Sequence, residues 1–219
     1  LLVVDLAFFA SNLLKVREGG WIPLLLAAVV LVVALIWHEG RSILSRKFVA
    51  ETISVEHFMA DIQAHPPRRI DGTAVFLTGN AQGVPRTLLH NLKHNKILHE
   101  RTVLLTVATQ EVPTVPAADR ARVTPVGDGF FRVTVSYGFS ESPDIPRALA
   151  SLALDGAPLE PMRTTYFLGR ETLVLGPRKA MPPWRKRVFA FLSRNAHDAS
   201  KYFAIPPGQV VELGIQVEL

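Results

Sequence analysis

The sequence contains no cysteine. This excludes a disulfide framework, a thiolate metal site and a thiol nucleophile, so the fold must hold by packing and hydrogen bonding alone. Charge is scarce at one end: residues Leu1 to Trp37 are nearly continuously apolar, and Trp21 to Trp37 carry no charge at all. No HExxH, GxGxxG or Walker-type GxxxxGK[ST] pattern occurs, which removes common signatures of zinc hydrolases and nucleotide-binding folds. Internal repeats and low-complexity tracts are also lacking. The net charge of +5 does not point to nucleic acid, because the basic residues are spread along the chain without a recognition helix or an aromatic-plus-basic module. Proximity to an anionic membrane leaflet accounts for a mild basic excess more simply.

What is present divides in two. Hydrophobic residues make up 48% of the chain, and the mean hydropathy of +0.23 is high for a soluble protein and modest for a polytopic one. The average conceals an apolar part before His38 and a charged part after it, the latter of about 150 to 180 residues, a normal single domain. Trp21–Trp37 reads WIPLLLAAVVLVVALIW; about 17 helical residues cover ~25 Å, close to the hydrocarbon thickness. It is expected to span a membrane, with Trp21 and Trp37 at the two interfaces and Pro23 in the first turn, where a missing N–H costs least. The preceding LLVVDLAFFASNLL is expected to be the latter part of another span, joined through KVREGG by a tight hairpin. The chain starts at Leu1 inside an apolar run without a basic n-region, so a signal peptide is not expected and the sequence reads as a piece of a longer protein. Arg41, Arg46 and Lys47 after the span, against Lys15 and Arg17 before it, favour a cytoplasmic location for everything that follows.

Beyond the membrane, Ser54 is expected to cap a helix with Val55, Phe58, Met59 and Ile62 on one face, ending before Pro66 and Pro67. Thr73–Thr78 and Thr102–Ala108 are short, continuous apolar runs. They flank a helix opened by Pro85 with Leu88, Leu89, Leu92 and Ile97 on its apolar side, a βαβ unit with parallel strands. Phe130–Tyr137 alternates as a half-exposed strand, and Asp144 and Pro146 start a helix carrying Leu149 and Leu152. Thr164–Leu168 and Glu171–Leu175 read as strand or hairpin, and Val210–Val217 as a last strand. Trp184–Phe203 reads as one amphipathic helix, with Trp184, Val188, Phe191 and Leu192 toward a core and Arg185, Lys186, Arg187 and Arg194 outside. The expected architecture is an α/β cytosolic domain with a mostly parallel sheet, preceded by two transmembrane helices of which the first is truncated. Its expected boundaries are 1–38 for the membrane hairpin, 39–72 for a juxtamembrane helix and linker, and 73–219 for the α/β domain.

Several stretches match wording found elsewhere: DLAFFASNLLKVREGGWIPLL, GTAVFLTGNAQGVPRTLLHNLKHNKILHERTVLLTV, TTYFLGRET and FAFLSRNAHDASKYFAIPPGQVVELGIQVEL. In this order and over nearly the whole length, the chain resembles the C-terminal portion of Kup-type (KUP/HAK/KT) potassium uptake permeases, with residues 112–128 carrying no family wording. The resemblance implies a secondary transporter, not an enzyme, that moves potassium together with protons across the cytoplasmic membrane. It also implies an inverted-repeat bundle whose ion sites lie near the midplane on discontinuous helices. Those helices would precede Leu1, so no ion-binding residue is carried onto this chain, and its expected partners are the lipid bilayer, the missing N-terminal bundle and a second copy of itself. The part after His38 would then have a regulatory or assembly role.

Four constellations carry a functional and a plain reading. Asp5, with Asn12 on the same helical face, is an intramembrane carboxylate and hence a candidate proton carrier or ion-path group; the plain reading is a hydrogen-bonded structural pair, or a carboxylate near the membrane end. In the GNAQGVP loop, Gly79, Asn80 and Gly83, with Arg86 behind them, follow a buried strand and open a helix. There, N–H groups can face the phosphate of an adenine or cyclic dinucleotide, and an ordinary glycine turn is the plain reading. On the functional reading Gly83→Val abolishes binding and leaves the fold largely intact. His90 and His94 at i, i+4 match a zinc pair in spacing, yet Lys93 and Lys96 crowd the helix and no metal is expected. Arg170 and Glu171 are adjacent on a strand and point to opposite faces. No nucleophile with a paired acid emerges, so a membrane-tethered enzyme ranks below a transporter portion and below the alternative, a membrane-anchored nucleotide-sensing domain.

Overall fold

The computed structural model describes residues 2–174, 176, 181–195 and 199–218, with the side chains of residues 14, 15, 17 and 18 excepted. In chain order the helices are α1 (Leu2–Lys15), α2 (Trp21–Ala50), α3 (Val55–Ala64), α4 (Arg86–Asn95), α5 (Ile145–Ala150), α6 (Pro183–Arg194) and α7 (Ala199–Tyr202). The strands are β1 (Arg68–Leu77), β2 (Ile97–Gln110), β3 (Ala121–Gly127), β4 (Phe130–Gly138), β5 (Ala153–Leu154), β6 (Ala157–Pro158), β7 (Thr164–Val174) and β8 (Val210–Glu218). They form two compact units, one of residues 1–47, 175–195 and 219, the other of residues 48–174 and 196–218.

In the first unit the KVREGG segment forms a π-helical turn, Val16–Gly20, broken at Gly19 with φ 126°, a conformation open to glycine. After it α2 runs for 30 residues, and it is the one described helix long and apolar enough to cross a membrane. Its apolar side chains from Trp21 to Leu35 point outward and exposed. Past Trp37 the helix meets α6. The Phe189 ring lies 5.6 Å from the Trp37 ring and occupies the space that a Cβ on Gly40 would need, so glycine at 40 seats phenylalanine at 189. Arg185 pairs with Glu39 at 3.0 Å, and Lys186 Nζ donates to the Gly176 carbonyl at 3.0 Å.

The second unit is built on a six-stranded sheet of order β3-β4-β2-β1-β7-β8. All neighbouring strands are parallel except β3 with β4. The mostly parallel sheet expected from the continuous apolar runs is therefore present, and helices cover both faces, as such strands require. On one face Ala74, Phe76, Leu104 and Phe167 pack with Val55, Phe58 and Ile62 of α3 and Leu88 of α4. On the other, Val75, Val103, Val133 and Tyr166 pack with Ile145 and Leu149 of α5 and with Ile205. Ser54 caps α3 by accepting from His57 N at 3.2 Å, and Asp144 caps α5 by accepting from Arg147 N at 3.0 Å, both as their residue types favour.

The structure departs from the sequence reading in three places and decides between its alternatives in a fourth. Ile97 begins β2 rather than closing α4, because Lys96 at φ 56° ends the helix in the left-handed conformation. Residues 164–174 take the strand alternative rather than the hairpin and run as one strand, since β7 pairs with β1 at its start and with β8 from Tyr166 to Val174. The expected helix over 184–203 divides into α6 and α7, with 196–198 outside the described residues, and the face assigned to α6 is rotated: Phe189, Ala190 and Lys186 are buried while Trp184 and Phe191 are exposed. Strand β3 and the small hairpin β5-β6 were not anticipated. The segment before β3 is tied to the end of β4 by Glu141, which pairs with Arg120 and accepts from the N–H groups of Gly138 and Val115. The Arg120 hydrogen bond first, then those two N–H groups, lower the Glu141 carboxyl to about 2.

Phe76 is fully buried and stacks on Phe167 of the next strand at 4.5 Å and 15°, in register with Leu104 on its other side. Truncation leaves a cavity between the sheet and the helices α3 and α4 that the surroundings fill only in part. Phe76→Ala is expected to cost about 3–5 kcal/mol, read from denaturant unfolding of the chain in detergent by circular dichroism. A loss under ~1 kcal/mol would remove this residue from the core.

Candidate functional site

The loop between β1 and α4 does not stand free. Its first N–H, of Thr78, continues the ladder by donating to the Leu105 carbonyl at 2.9 Å. The Thr78 hydroxyl then accepts from Asn80 N at 3.1 Å, and the Asn80 side-chain oxygen accepts from Gln82 N at 3.0 Å, an Asx turn that folds the loop back on itself. Asn80 Nδ2 donates to the Thr52 hydroxyl at 3.3 Å. Thr52 in turn donates to the Phe48 carbonyl at 2.7 Å. Val84 N donates to the Ile53 carbonyl at 3.1 Å, and Ser54 and Gly83 form an antiparallel bridge. Arg86 completes the set, with its guanidinium on Glu51 at 2.7 Å and 4.4 Å above the Phe48 ring. Residues 48–54, the last turn of α2 and the strap after it, are thus latched to the end of a central strand.

Three of the four residues expected around a phosphate serve this latch. Asn80, Gly83 and Arg86 all contact the strap, whereas Gly79 faces open space. A Cβ on Gly83 would collide with the Thr52 methyl group, and Thr52 cannot turn away without losing its bonds to Phe48 and Asn80. Gly83→Val is therefore expected to disturb the strap at Thr52 as well as the loop, a local cost beside the expectation that the fold stays largely intact. The start of α4 keeps two features of an anion site. Pro85 provides no side-chain cap, and the Thr87 hydroxyl, on a buried residue, has no hydrogen-bond partner among the described residues. Sequence reasoning missed Thr52, Glu51 and Phe48, because nothing local in their own segment marks them; their partners lie about 30 residues downstream.

The remaining candidates fall elsewhere. In α1 Asn12 donates to the Phe8 carbonyl of its own helix at 3.0 Å, and Asp5 is exposed. The His90 and His94 rings are 5.6 Å apart, and no group of three metal-ligating side chains gathers among the described residues. Arg170 pairs across the sheet edge with Glu212 at 3.4 Å. An open groove of about 530 Å³ bordered by Ile62, Gln63, Glu100 and Asp128 also holds Arg69. That guanidinium is spent on the carbonyls of His99 and Asp128 and on the Phe130 ring.

Residues 71–219 match the family model described as the K+ potassium transporter C-terminal domain, and residues 1–42 match the K+ potassium transporter integral membrane domain. The chain is 50% identical over 218 residues to the probable potassium transport system protein Kup of Myxococcus xanthus, covering all of this chain and 33% of that protein. The corresponding protein of Azoarcus sp. is also 50% identical, with 34% of it covered, and Kup 1 of Paramagnetospirillum magneticum is 49% identical over 219 residues. The chain spans about a third of the length of these relatives. No solved structure matches it. With two successive domains matched in order, the apolar helices to the membrane part and the α/β unit to the part behind it, the chain belongs to the Kup-type potassium transporter family and constitutes a C-terminal portion of such a protein.

Proposed function

We propose that this chain is the C-terminal third of a permease that takes up potassium together with protons across the cytoplasmic membrane, and that the α/β unit is its cytoplasmic regulatory or assembly domain. The observation that carries this reading is the single helix α2. Its apolar first half falls within the matched membrane domain, it continues without a break to Ala50, and its last turn is hydrogen-bonded and stacked into the latch on the β1–α4 loop. A displacement of residues 48–54 must either carry the loop with it or break the Thr52, Asn80 and Arg86 contacts. That is the arrangement expected where a membrane helix and an accessory domain influence each other. Ion coordination itself belongs to the membrane bundle.

The reading is tested by a chimera in which this chain replaces the matching last third of the Myxococcus xanthus relative, expressed in a bacterium lacking its own potassium uptake. Rubidium uptake with parallel acidification of the cell is expected. A chimera that reaches the membrane and takes up no rubidium contradicts the assignment, and uptake without proton movement contradicts symport.

A second reading, an adenine or cyclic dinucleotide at the start of α4, is favoured by the unpartnered Thr87 hydroxyl and the uncapped helix end. Calorimetry on the chain in detergent would show binding that Thr87→Val weakens. Absence of heat at millimolar nucleotide leaves the loop as a latch alone.

A further inference from the structure

α6 presents an outward face of unusual composition. Beyond Pro183 at its first position, its exposed residues are Trp184, Arg187, Phe191 and Arg194, at spacings of three, four and three, which place them within an arc of about 80° on a helix of 3.6 residues per turn. Trp184 is 52% and Phe191 67% exposed. Neither Arg187 nor Arg194 has a carboxylate partner among the described residues. The opposite face holds the helix in place through Phe189, Ala190 and Lys186, all buried. Trp184 meets the protein through Arg185, whose guanidinium lies 5.3 Å over its ring, yet about half of Trp184 and two thirds of Phe191 stay uncovered, apolar surface that water disfavours.

Its position supplies the missing surroundings. Phe189 packs on Trp37, the residue that ends the charge-free run of α2, and Arg185 reaches Glu39 just beyond it. If α2 spans the bilayer, as the membrane reading above holds and on which this inference rests, α6 lies at the depth where α2 leaves the hydrocarbon. Tryptophan and arginine are the side chains suited to that depth: an aromatic ring in the headgroup–acyl boundary and a guanidinium among lipid phosphates. We propose that α6 is an interfacial helix, with Trp184 and Phe191 inserted at the headgroup–acyl boundary and Arg187 and Arg194 binding the phosphates of anionic lipids. The occupant is lipid rather than a protein partner because α6 is seated on α2 where its exposed, charge-free run ends, and because its cationic groups match the charge of the leaflet expected there. α6 would act as a contact through which the lipid composition of the leaflet reaches the end of α2.

The absence of cysteine permits a direct test. Single substitutions Phe191→Cys, Leu31→Cys and Met162→Cys are spin-labelled in the full chain and reconstituted into vesicles of phosphatidylcholine, with or without phosphatidylglycerol. Collisions with oxygen and with a water-soluble nickel complex are then compared. Leu31, in mid-span, reports the membrane reading; Met162, 90% exposed on the other unit, reports water. The label at 191 is expected at headgroup depth, with nickel accessibility severalfold below that at 162, and deeper when phosphatidylglycerol is present. Adding Arg187→Gln and Arg194→Gln should abolish the phosphatidylglycerol dependence. A label at 191 as aqueous as that at 162, with 31 buried in hydrocarbon, overturns the interfacial proposal alone. Labels at both 191 and 31 in water overturn the membrane reading beneath it. A label at 191 shielded from oxygen as well as nickel overturns the proposal in favour of protein cover, and headgroup depth indifferent to phosphatidylglycerol and to both arginine substitutions overturns the anionic-lipid part.

Discussion

A helix that carries no charge over five turns and turns its leucines, valines and alanines outward has one favourable surrounding, and that is hydrocarbon. The constraint is severe. Each exposed apolar side chain of α2 loses roughly 25 cal/mol per Å² in water relative to an apolar medium, and few of these residues between Trp21 and Leu35 are covered by the protein itself. The features around them follow. Tryptophans bracket the run, charge resumes at Glu39 and Arg41, and glycine at 40 opens a seat for Phe189 just outside the apolar segment. On the proposed interfacial placement of α6, the same constraint accounts for the uncovered surface of Trp184 and Phe191.

The α/β unit obeys a different rule. Parallel strands bury both faces, so β1, β2 and β7 need helices above and below, and α3, α4 and α5 provide them. The crossover from β1 to α4 then places a loop at the C-terminal edge of the sheet, where α/β proteins commonly hold ligands. In this protein most of that loop is taken up by its own chain. Asn80, Gly83 and Arg86 bind Thr52, Glu51 and Phe48, so the position that would cradle a phosphate also fastens the end of α2 to the sheet, with the Thr87 hydroxyl behind it unpartnered among the described residues.

The buried strands were legible because apolar runs such as TAVFLT and TVLLTV have no other stable use in a charged, aqueous segment. The caps at Ser54 and Asp144 were legible from residue type. β3 was not, since an edge strand with Pro125 and exposed alternate positions carries little apolar signal. The face of α6 was misread for a physical reason: periodicity locates aromatic residues but assumes that the outside is water, whereas Trp184 and Phe191 face outward and Phe189 is claimed by Gly40, far away in sequence. The latch was hidden for a similar reason, because Thr52 and Glu51 acquire meaning when the fold brings the strap against Asn80 and Arg86. The likeness to potassium permeases lay in long contiguous stretches and was readable at once.

The central claim is that α2 crosses the cytoplasmic membrane with the α/β unit on the inner side, as Arg41, Arg46 and Lys47 beside Trp37 favour. The most direct measurement fuses a fluorescent protein or alkaline phosphatase after Leu219, in the chain carried by the membrane domain of a relative. Bright fluorescence with inactive phosphatase is the predicted result. Active phosphatase with dark fluorescent protein would place the domain outside and contradict the account.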